Sequence, residues 1–148
     1  MERKPFSIGA RIEHPQDMIN RSQYGAAAGH PALGAADYKL SVHLPDGGSA
    51  YTFCMCPGGV VVPSSSGNGE ICTNGMSYSA RNGKYANSAV CVSVFPQDYG
   101  DTPVGAIEFQ HNLEKLAFKK AGGDYSAPVT TVGDLLYGQG RHGLKYTP

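Results

Sequence analysis

The sequence predicts an α+β fold: a mostly antiparallel β-sheet of about five or six strands, with one long helix at about residues 103–121 packed on it. Two observations lead to this prediction. Short segments in which apolar and polar residues alternate are joined by glycine-rich turns, and a sustained helical pattern follows them. The 148 residues suffice for one domain with a buried core. We expect this domain to span 1–136 and a loose tail to follow over 137–148.

The first half of the chain is predicted to form a strand, a short helix and a hairpin. Apolar and polar residues alternate in FSIGARIEH, residues 6–14, with the period of a half-buried strand. Pro15 then opens PQDMINRSQYG, where a proline at the first helical position and Gly25 at the end favour a short helix. The segments YKLSVHL and SAYTFCMC flank the turn residues PDGG, which indicates a β-hairpin.

The second half is predicted to add another hairpin, a central strand and two helices. The valines of residues 60–62 begin one strand, SSSGNGE forms the turn and ICTNG returns. SAVCVSVF, residues 88–95, has one apolar face and one mixed face, which is typical of a central strand. A short helix is expected around Leu135.

The long helix has the clearest signals. Asp101 or Thr102 can cap it, Pro103 suits its first turn, and Gly122 and Gly123 end it. Its apolar stripe consists of Ala106, Phe109, Leu113, Leu116 and Ala117. The charged residues largely outside this stripe are Glu114, Lys115, Lys119 and Lys120.

The charge balance argues against two classes of partner. Twelve basic and twelve acidic residues cancel, and the pI is 6.9. Binding to nucleic-acid phosphates or to an anionic membrane surface needs a surplus of Lys and Arg. No apolar run approaches the ~20 residues of a membrane span, and MERKPFSIG lacks the apolar core of a secretory signal. We expect no nucleic-acid or membrane partner and a cytoplasmic location.

The four cysteines are expected to be reduced, because the chain shows no secretion signal. Cys54, Cys72 and Cys91 lie in apolar or strand-like contexts typical of small buried thiols. Cys54 and Cys56 would share one face of a strand. If they point inward they are core thiols, and if they point into a cleft they meet a ligand. A disulfide between them would be strained and therefore reducible.

Other chemical motifs are weak. The spacing of Cys54 and Cys56 and the five scattered histidines do not match zinc-ligand pairs, so no metal is expected. No Gly-x-Ser-x-Gly elbow is present, and a pairing of Cys56 with His43 would be a chance one. CPGGVVV leads into a strand and not into a helix, so it lacks a phosphate-binding geometry. The polar stretch NGMSYSARNGKYANSA, residues 74–89, fits an exposed loop and a binding-site loop equally well.

Five segments carry a resemblance to a known family: KPFSIGARIEHPQDMI, HPALGAADYKL, YTFCMCPGGVVVPSSS, NGMSYSARNGKYANSA and APVTTVGDLL. In order, over roughly residues 4–136, they resemble uncharacterised bacterial FAD-dependent dehydrogenases related to glutathione-reductase-type flavoproteins. The resemblance implies that this chain is a substrate-binding domain inserted between two parts of a Rossmann-type FAD-binding domain. It implies FAD in a larger parent protein, no FAD on this fragment, and no catalysis by the fragment alone.

The resemblance also implies partners and site residues. The partners are the FAD-binding domain of the same parent chain and a small-molecule substrate of unknown identity. An excised sheet would expose an apolar docking face, through which a dimer could form. Two strips are expected to face the flavin ring or the substrate, and no catalytic role is carried over to any residue. The first strip comprises Cys54, Cys56, Pro57, Gly58 and Gly59, and the second comprises Asn74, Gly75, Met76 and Ser77.

The cysteine pair is expected to line the substrate pocket at an open surface, with the Pro57-Gly58-Gly59 turn at its edge. Two other hypotheses remain open at this point. One is a self-contained module that binds a small ligand or a partner without redox activity. The other is a thiol-based redox module that uses Cys54 and Cys56.

Overall fold

A computed structural model of the chain describes residues 4–100, 102 and 104–138. The strands are β1 Phe6–Pro15, β2 Ser41–His43, β3 Ser49–Cys56, β4 Gly59–Ser64, β5 Cys72–Ser77 and β6 Tyr85–Val94. The α-helices are α1 Gln16–Tyr24, α2 Pro96–Tyr99, α3 Gly105–Lys120 and α4 Val132–Tyr137, with a 3₁₀ turn at Gly25–Ala27. The predicted α+β class is confirmed, although α3, at 16 residues, is only moderately longer than an average helix. Within the described residues, no helix is long and apolar enough to cross a bilayer.

The strands form two antiparallel groups. β1, β6, β3 and β2 pair in that order in a four-stranded sheet, so β6 is central, as the sequence predicts. β4 and β5 pair with each other as a two-stranded sheet. Both predicted hairpins are therefore present, and the strands divide into two sheets where the sequence predicts one.

The chain divides into two compact units. The first comprises residues 1–62 and 74–98, and it contains the four-stranded sheet and α1. The second comprises 63–73 and 99–148, and it contains α3 and α4. Because the sheet and α3 belong to different units, the packing of that helix on the sheet stays a prediction, as does a single domain over 1–136. Within the predicted tail, 139–148 lie outside the described residues.

Local signals explain the ends of the early elements. Pro15 is the N-cap residue of α1, and Gly25 closes the helix with a positive φ of 55°. In the first hairpin, Gly47 has a φ of 84°, and the Gly48 N–H donates to Oδ1 of Asp46 at 2.9 Å. The sequence located both ends because proline and glycine impose these backbone conformations directly.

The start of α3 differs from the prediction. The helix begins at Gly105 with Val104 as its N-cap residue, and no side chain caps it. The Gly105 N–H donates to the main-chain carbonyl of Thr102. The Thr102 hydroxyl does not cap the helix, although the sequence predicts that it can. The other two predicted signals, Asp101 and Pro103, lie outside the described residues.

The buried side of α3 is also not the predicted one. Leu113 and Leu116 of the apolar stripe are exposed, whereas Glu114 is only 9% exposed. The Glu114 carboxylate accepts hydrogen bonds from the Ser66 hydroxyl and from Nε2 of Gln110, the latter at 2.8 Å. A hydrogen-bonded carboxylate can be buried at tolerable cost. The helix therefore packs within its unit through a polar contact that an apolar pattern does not predict.

Candidate functional site

A β-bulge in β3 separates the two cysteines that strand alternation places on one face. Phe53 pairs with Ala89 of β6 and Cys56 pairs with Asn87, so β3 has one residue more than β6 between these pairs. Cys54 takes a left-handed φ of 47°, and the alternation breaks there. Its side chain is exposed, whereas Cys56 is only 8% exposed. The expectation of an open surface at both thiols therefore holds for Cys54 and is wrong for Cys56.

The guanidinium of Arg11, on β1, holds this bulge in place. Its Nη1 and Nη2 donate to the main-chain oxygen of Cys54 at 3.3 and 3.4 Å. Nη1 also donates to Oδ1 of Asn87 and lies 4.0 Å from Sγ of Cys56. The Cys56 thiol donates to the same Cys54 oxygen at 3.2 Å. Charge-assisted hydrogen bonds thus satisfy a carbonyl that the bulge removes from the strand ladder.

The same guanidinium brings the second predicted strip to the first. Gly75 of β5 lies so close that a Cβ there would be 2.1 Å from Nη1 of Arg11 and 2.3 Å from Oδ1 of Asn87. A side chain at position 75 would have to displace the guanidinium or the Asn87 amide. Along β5, Asn74 and Met76 are exposed, Met76 to 59%, and Ser77 is half-buried. The structure therefore assembles the two strips around Arg11, a residue that no motif in the sequence marks.

The turn formed by Pro57, Gly58 and Gly59 is buried and does not lie at the edge of an open surface. A Cβ at Gly58 would be 2.1 Å from the main-chain oxygen of Arg81, and one at Gly59 would be 2.0 Å from that of Met76. The two glycines thus permit the close approach of the polar stretch that the sequence left undecided. The predicted position at an edge is wrong because these backbone segments cover the turn.

Gln16, buried at the start of α1, ties this turn to two further segments. Its Oε1 accepts from the Gly58 N–H at 2.8 Å, and its Nε2 donates to the Ala36 carbonyl at 2.9 Å and to Oδ1 of Asn20 at 2.8 Å. Its main-chain N–H donates to the Lys84 carbonyl at 2.9 Å. Two of the three hydrogen bonds of the side-chain amide position segments outside the helix, and nothing in the local sequence distinguishes Gln16 from a surface glutamine.

A cavity of about 420 Å³ lies beside α1. Residues 29–31, 33–35 and 81–84 line it together with one side of the helix. The charged and aromatic side chains in this lining are Asp17, Tyr24, His30, Arg81 and Lys84. Asp17 forms an ion pair with Arg21 at 2.8 Å. The polar stretch 74–89 therefore contributes to a concave surface as well as to the Arg11 contact.

A polar pair lies on the opposite face of β1 from Arg11, because residues 11 and 14 are an odd number of positions apart. Nε2 of His14 and the Tyr38 hydroxyl are 2.7 Å apart. Burial lowers the pKa of His14, with its backbone hydrogen bond and the charge of Glu13 opposing. Burial raises the pKa of Tyr38, with a hydrogen bond to Ser88 opposing. Both side chains are therefore favoured in their neutral forms.

All four cysteines are free. Cys54 and Cys72 are exposed and Cys91 is half-buried, so the expectation that these three are buried thiols is wrong for the first two. Burial raises the pKa of the Cys91 thiol, the charge of Arg11 opposes this, and Cys54 adds to it. Among the described residues, no three His, Cys, Asp or Glu side chains form a group that could hold a metal ion.

Comparisons with known proteins place the chain in context. The family described as "FAD-dependent protein, C-terminal domain-like" matches residues 5–147. A protein of Clostridium beijerinckii (strain ATCC 51743 / NCIMB 8052), described as an uncharacterized protein, is 53% identical over 140 residues. This match covers 92% of the present chain and 26% of the relative, so the chain spans about a quarter of that protein's length.

Proposed function

Because the chain belongs to the family described as FAD-dependent protein, C-terminal domain-like, we propose that it is the substrate-binding domain of an FAD-dependent oxidoreductase. In this proposal the parent protein is a dehydrogenase of the glutathione-reductase type, and the chain is inserted between its FAD-binding segments. The observation that carries the proposal is the assembly of the two strips, at Cys54 and at Gly75, around the Arg11 guanidinium. A specific charged side chain organises one surface from three separate strands.

At the starts of α1 and α3, the first N–H group of the helix is not free to bind the diphosphate of FAD. A dinucleotide site needs free N–H groups at a glycine-rich strand-to-helix turn. At the β1–α1 junction the Gln16 N–H is bonded to the Lys84 carbonyl, and the junction residue is Pro15. At the start of α3 the Gly105 N–H is bonded to the Thr102 carbonyl. In the proposal, other segments of the parent chain therefore hold FAD, and this chain contacts only its ring or the substrate.

The proposed contact surface consists of exposed side chains at the bulge and along β5. Cys54, Asn74 and Met76 are exposed, and Phe53 beside the bulge is exposed as well. Met76 and Phe53 supply apolar area that excludes water, while Asn74 can donate and accept hydrogen bonds. The buried members of the first predicted strip do not contribute to this surface; they are Cys56, Pro57, Gly58 and Gly59.

The other face of the four-stranded sheet fits the proposed parent partner. One apolar row crosses all four strands, because Ile8 pairs with Val92, Val92 with Ala50, and Ala50 with Val42. Val42 is 56% exposed and Val92 is 40% exposed. Such a row is costly to leave in water. We propose that a segment of the parent chain other than the one that holds FAD docks on it, and that an isolated chain uses it to form dimers.

One observation favours a second candidate, a self-contained module that binds a small ligand without redox activity. The cavity of about 420 Å³ beside α1 is of a size that accepts a small molecule, and it lies within the first unit. This candidate predicts that the isolated chain binds its ligand fully, without any other segment of a parent protein.

Spectroscopy on two proteins separates the candidates. The 148-residue chain and its full-length parent are each incubated with FAD and gel-filtered, and the flavin absorbance of the protein peak is measured. We expect stoichiometric FAD on the parent and none on the chain alone. FAD on the chain alone, or a parent protein that binds no FAD, would contradict the proposal.

A further inference from the structure

The second unit contains a buried carboxylate that faces a helix. Glu70, in the connection between β4 and β5, has a side chain that is only 6% exposed. Its loop is fastened to α3 by the Ile71 N–H, which donates to the Glu114 carbonyl at 3.2 Å, and by the Ser66 hydroxyl at the Glu114 carboxylate. Glycine at position 67 leaves room for the Glu70 carboxylate, because a Cβ there would lie 2.5 Å from Oε2 of Glu70. These contacts fix the position of the loop that carries the Glu70 carboxylate.

The two carboxylate oxygens have different surroundings. Oε1 lies 2.7 Å from Nδ1 of His111 and 3.7 Å from Nζ of Lys115, both on α3. Oε2 is buried and has no hydrogen-bond partner in the described part of the chain. Leaving a buried carboxylate oxygen unpaired is costly. Among the described residues, Oε1 is thus the oxygen through which Glu70 contacts charged or basic groups, and both groups lie on α3.

The contact fixes the tautomer of His111. An ionised carboxylate can only accept hydrogen bonds, so Nδ1 must carry the hydrogen, and Nε2 of the neutral ring then carries a lone pair. The side chain of His111 is partly exposed, and no hydrogen bond to its Nε2 is found within the described residues. Nε2 is thus the basic atom of an oriented imidazole.

This imidazole lies at a cavity of about 390 Å³. The cavity is lined by Glu70, Glu108, His111, Asn112 and Lys115. Four of these residues lie on one side of α3, since positions 108, 111, 112 and 115 follow the helical spacing. A base, an ammonium group and an amide therefore border the same space.

We propose that His111, oriented by Glu70, is a general base for a small ligand that presents an acidic O–H or N–H group. The ligand's proton moves to Nε2 of His111, and the bonding electron pair stays on the ligand's oxygen or nitrogen. The resulting imidazolium keeps its Nδ1–H bond to the Glu70 carboxylate, which balances its charge. The Lys115 ammonium stabilises the ligand anion. This site lies entirely within the second unit, and it goes beyond the substrate-binding surface proposed for the first.

Nitrogen NMR of the histidine side chains tests the proposal in the 148-residue chain, and it requires no flavin. At pH 8 we expect His111 to show a lone-pair-bearing Nε2 and a protonated Nδ1. In Glu70→Gln the Nε2 signal should shift toward that of a protonated nitrogen, because the amide no longer demands an Nδ1–H. Glu108→Gln is the matched control, since it removes a carboxylate from the same cavity without a contact to Nδ1. Its His111 signals should stay unchanged.

Chemical modification adds a second readout. Diethyl pyrocarbonate acylates the lone pair of a neutral imidazole, and mass spectrometry locates the product. His111 should react at Nε2 faster than His14, whose Nε2 is bonded to Tyr38, and Glu70→Gln should slow the reaction at His111. A His111 that carries its hydrogen on Nε2 in the wild type, or one whose tautomer and reactivity do not change in Glu70→Gln, would overturn the proposal. Far-UV circular dichroism of each variant verifies that the fold is retained.

Discussion

Gly75 of β5 lies directly against the guanidinium of Arg11 on β1, so closely that a Cβ at position 75 would be 2.1 Å from Nη1. The same guanidinium donates to the Cys54 carbonyl in the bulge of β3. One side chain thus fixes the relative positions of two strips that are about 20 residues apart in the sequence.

Gly75→Ala should destabilise the first unit. The added methyl group meets Nη1 of Arg11 and Oδ1 of Asn87, and overpacking of this kind costs about 1–3 kcal/mol. Chemical denaturation with urea measures the change in the free energy of unfolding. Gly34→Ala is the control, because nothing lies within 4 Å of a Cβ there and the effect should stay within about 1 kcal/mol. Equal stability of wild type and Gly75→Ala would show that the close contact is absent in solution.

The four thiols should differ in reactivity according to their exposure. In native protein, iodoacetamide should label Cys54 and Cys72 first, Cys91 more slowly and Cys56 last. In urea all four should react alike, which controls for intrinsic differences. Peptide mass spectrometry gives the rate at each position. Rapid labelling of Cys56 in the native state would contradict the bulge, since regular alternation would place both thiols of the pair on one face.

Gln16→Ala should lower stability through lost loop contacts. The change leaves the buried Gly58 N–H without its acceptor and removes the bond to the Ala36 carbonyl, for a cost of about 1–3 kcal/mol. Gln23→Ala, on the exposed side of the same helix, controls for the change of residue type and should alter stability by less than about 0.5 kcal/mol. Thermal and urea unfolding measure both variants. Similar losses in the two variants would argue against a special role of Gln16.

His14 should make stability fall in mild acid. Because burial lowers its pKa in the folded state, the unfolded chain binds the proton first as the pH falls below about 6.5. The contribution of neutral His14 is therefore complete above that pH and is lost as the pH falls through the lowered pKa. His14→Gln, whose amide can still bond the Tyr38 hydroxyl, should show a smaller loss of stability between about pH 7 and 5. Parallel pH profiles for the two proteins would contradict this role.

Much of the fold could be predicted because its signals are local. Three signals each determine the backbone conformation of a few neighbouring residues. They are the alternation of residues 6–14, the turn residues PDGG, and Pro15 and Gly25 at the two ends of α1. The bulge could not be predicted in this way. It depends on Arg11 and Asn87, which are distant in sequence from Cys54 and read as ordinary polar positions of strands. A pattern with a period of two has no means of indicating an inserted residue.

The same difference between local signals and long-range contacts applies to the candidate site. The resemblance identified the two strips, and the structure shows that they meet, but the buried turn at 57–59 and the inward Cys56 follow from long-range contacts. The burial of Glu114 was also hidden, because a helical wheel places charged residues on the solvent side. The burial of Glu70 was hidden because charged residues in a turn segment are ordinarily exposed. Each of these carboxylates is hydrogen-bonded by a partner from the connection between β4 and β5 or from α3 itself.

The alkylation rate of Cys54 tests the central claim, that the surface around the bulge faces the flavin in the parent protein. N-ethylmaleimide is applied to the parent with FAD bound and to the parent from which FAD has been removed. A cysteine introduced by Ser22→Cys, on the exposed side of α1, is the internal control. The account predicts that FAD slows the reaction of Cys54 and leaves that of position 22 unchanged. An equal rate at Cys54 with and without FAD would contradict it.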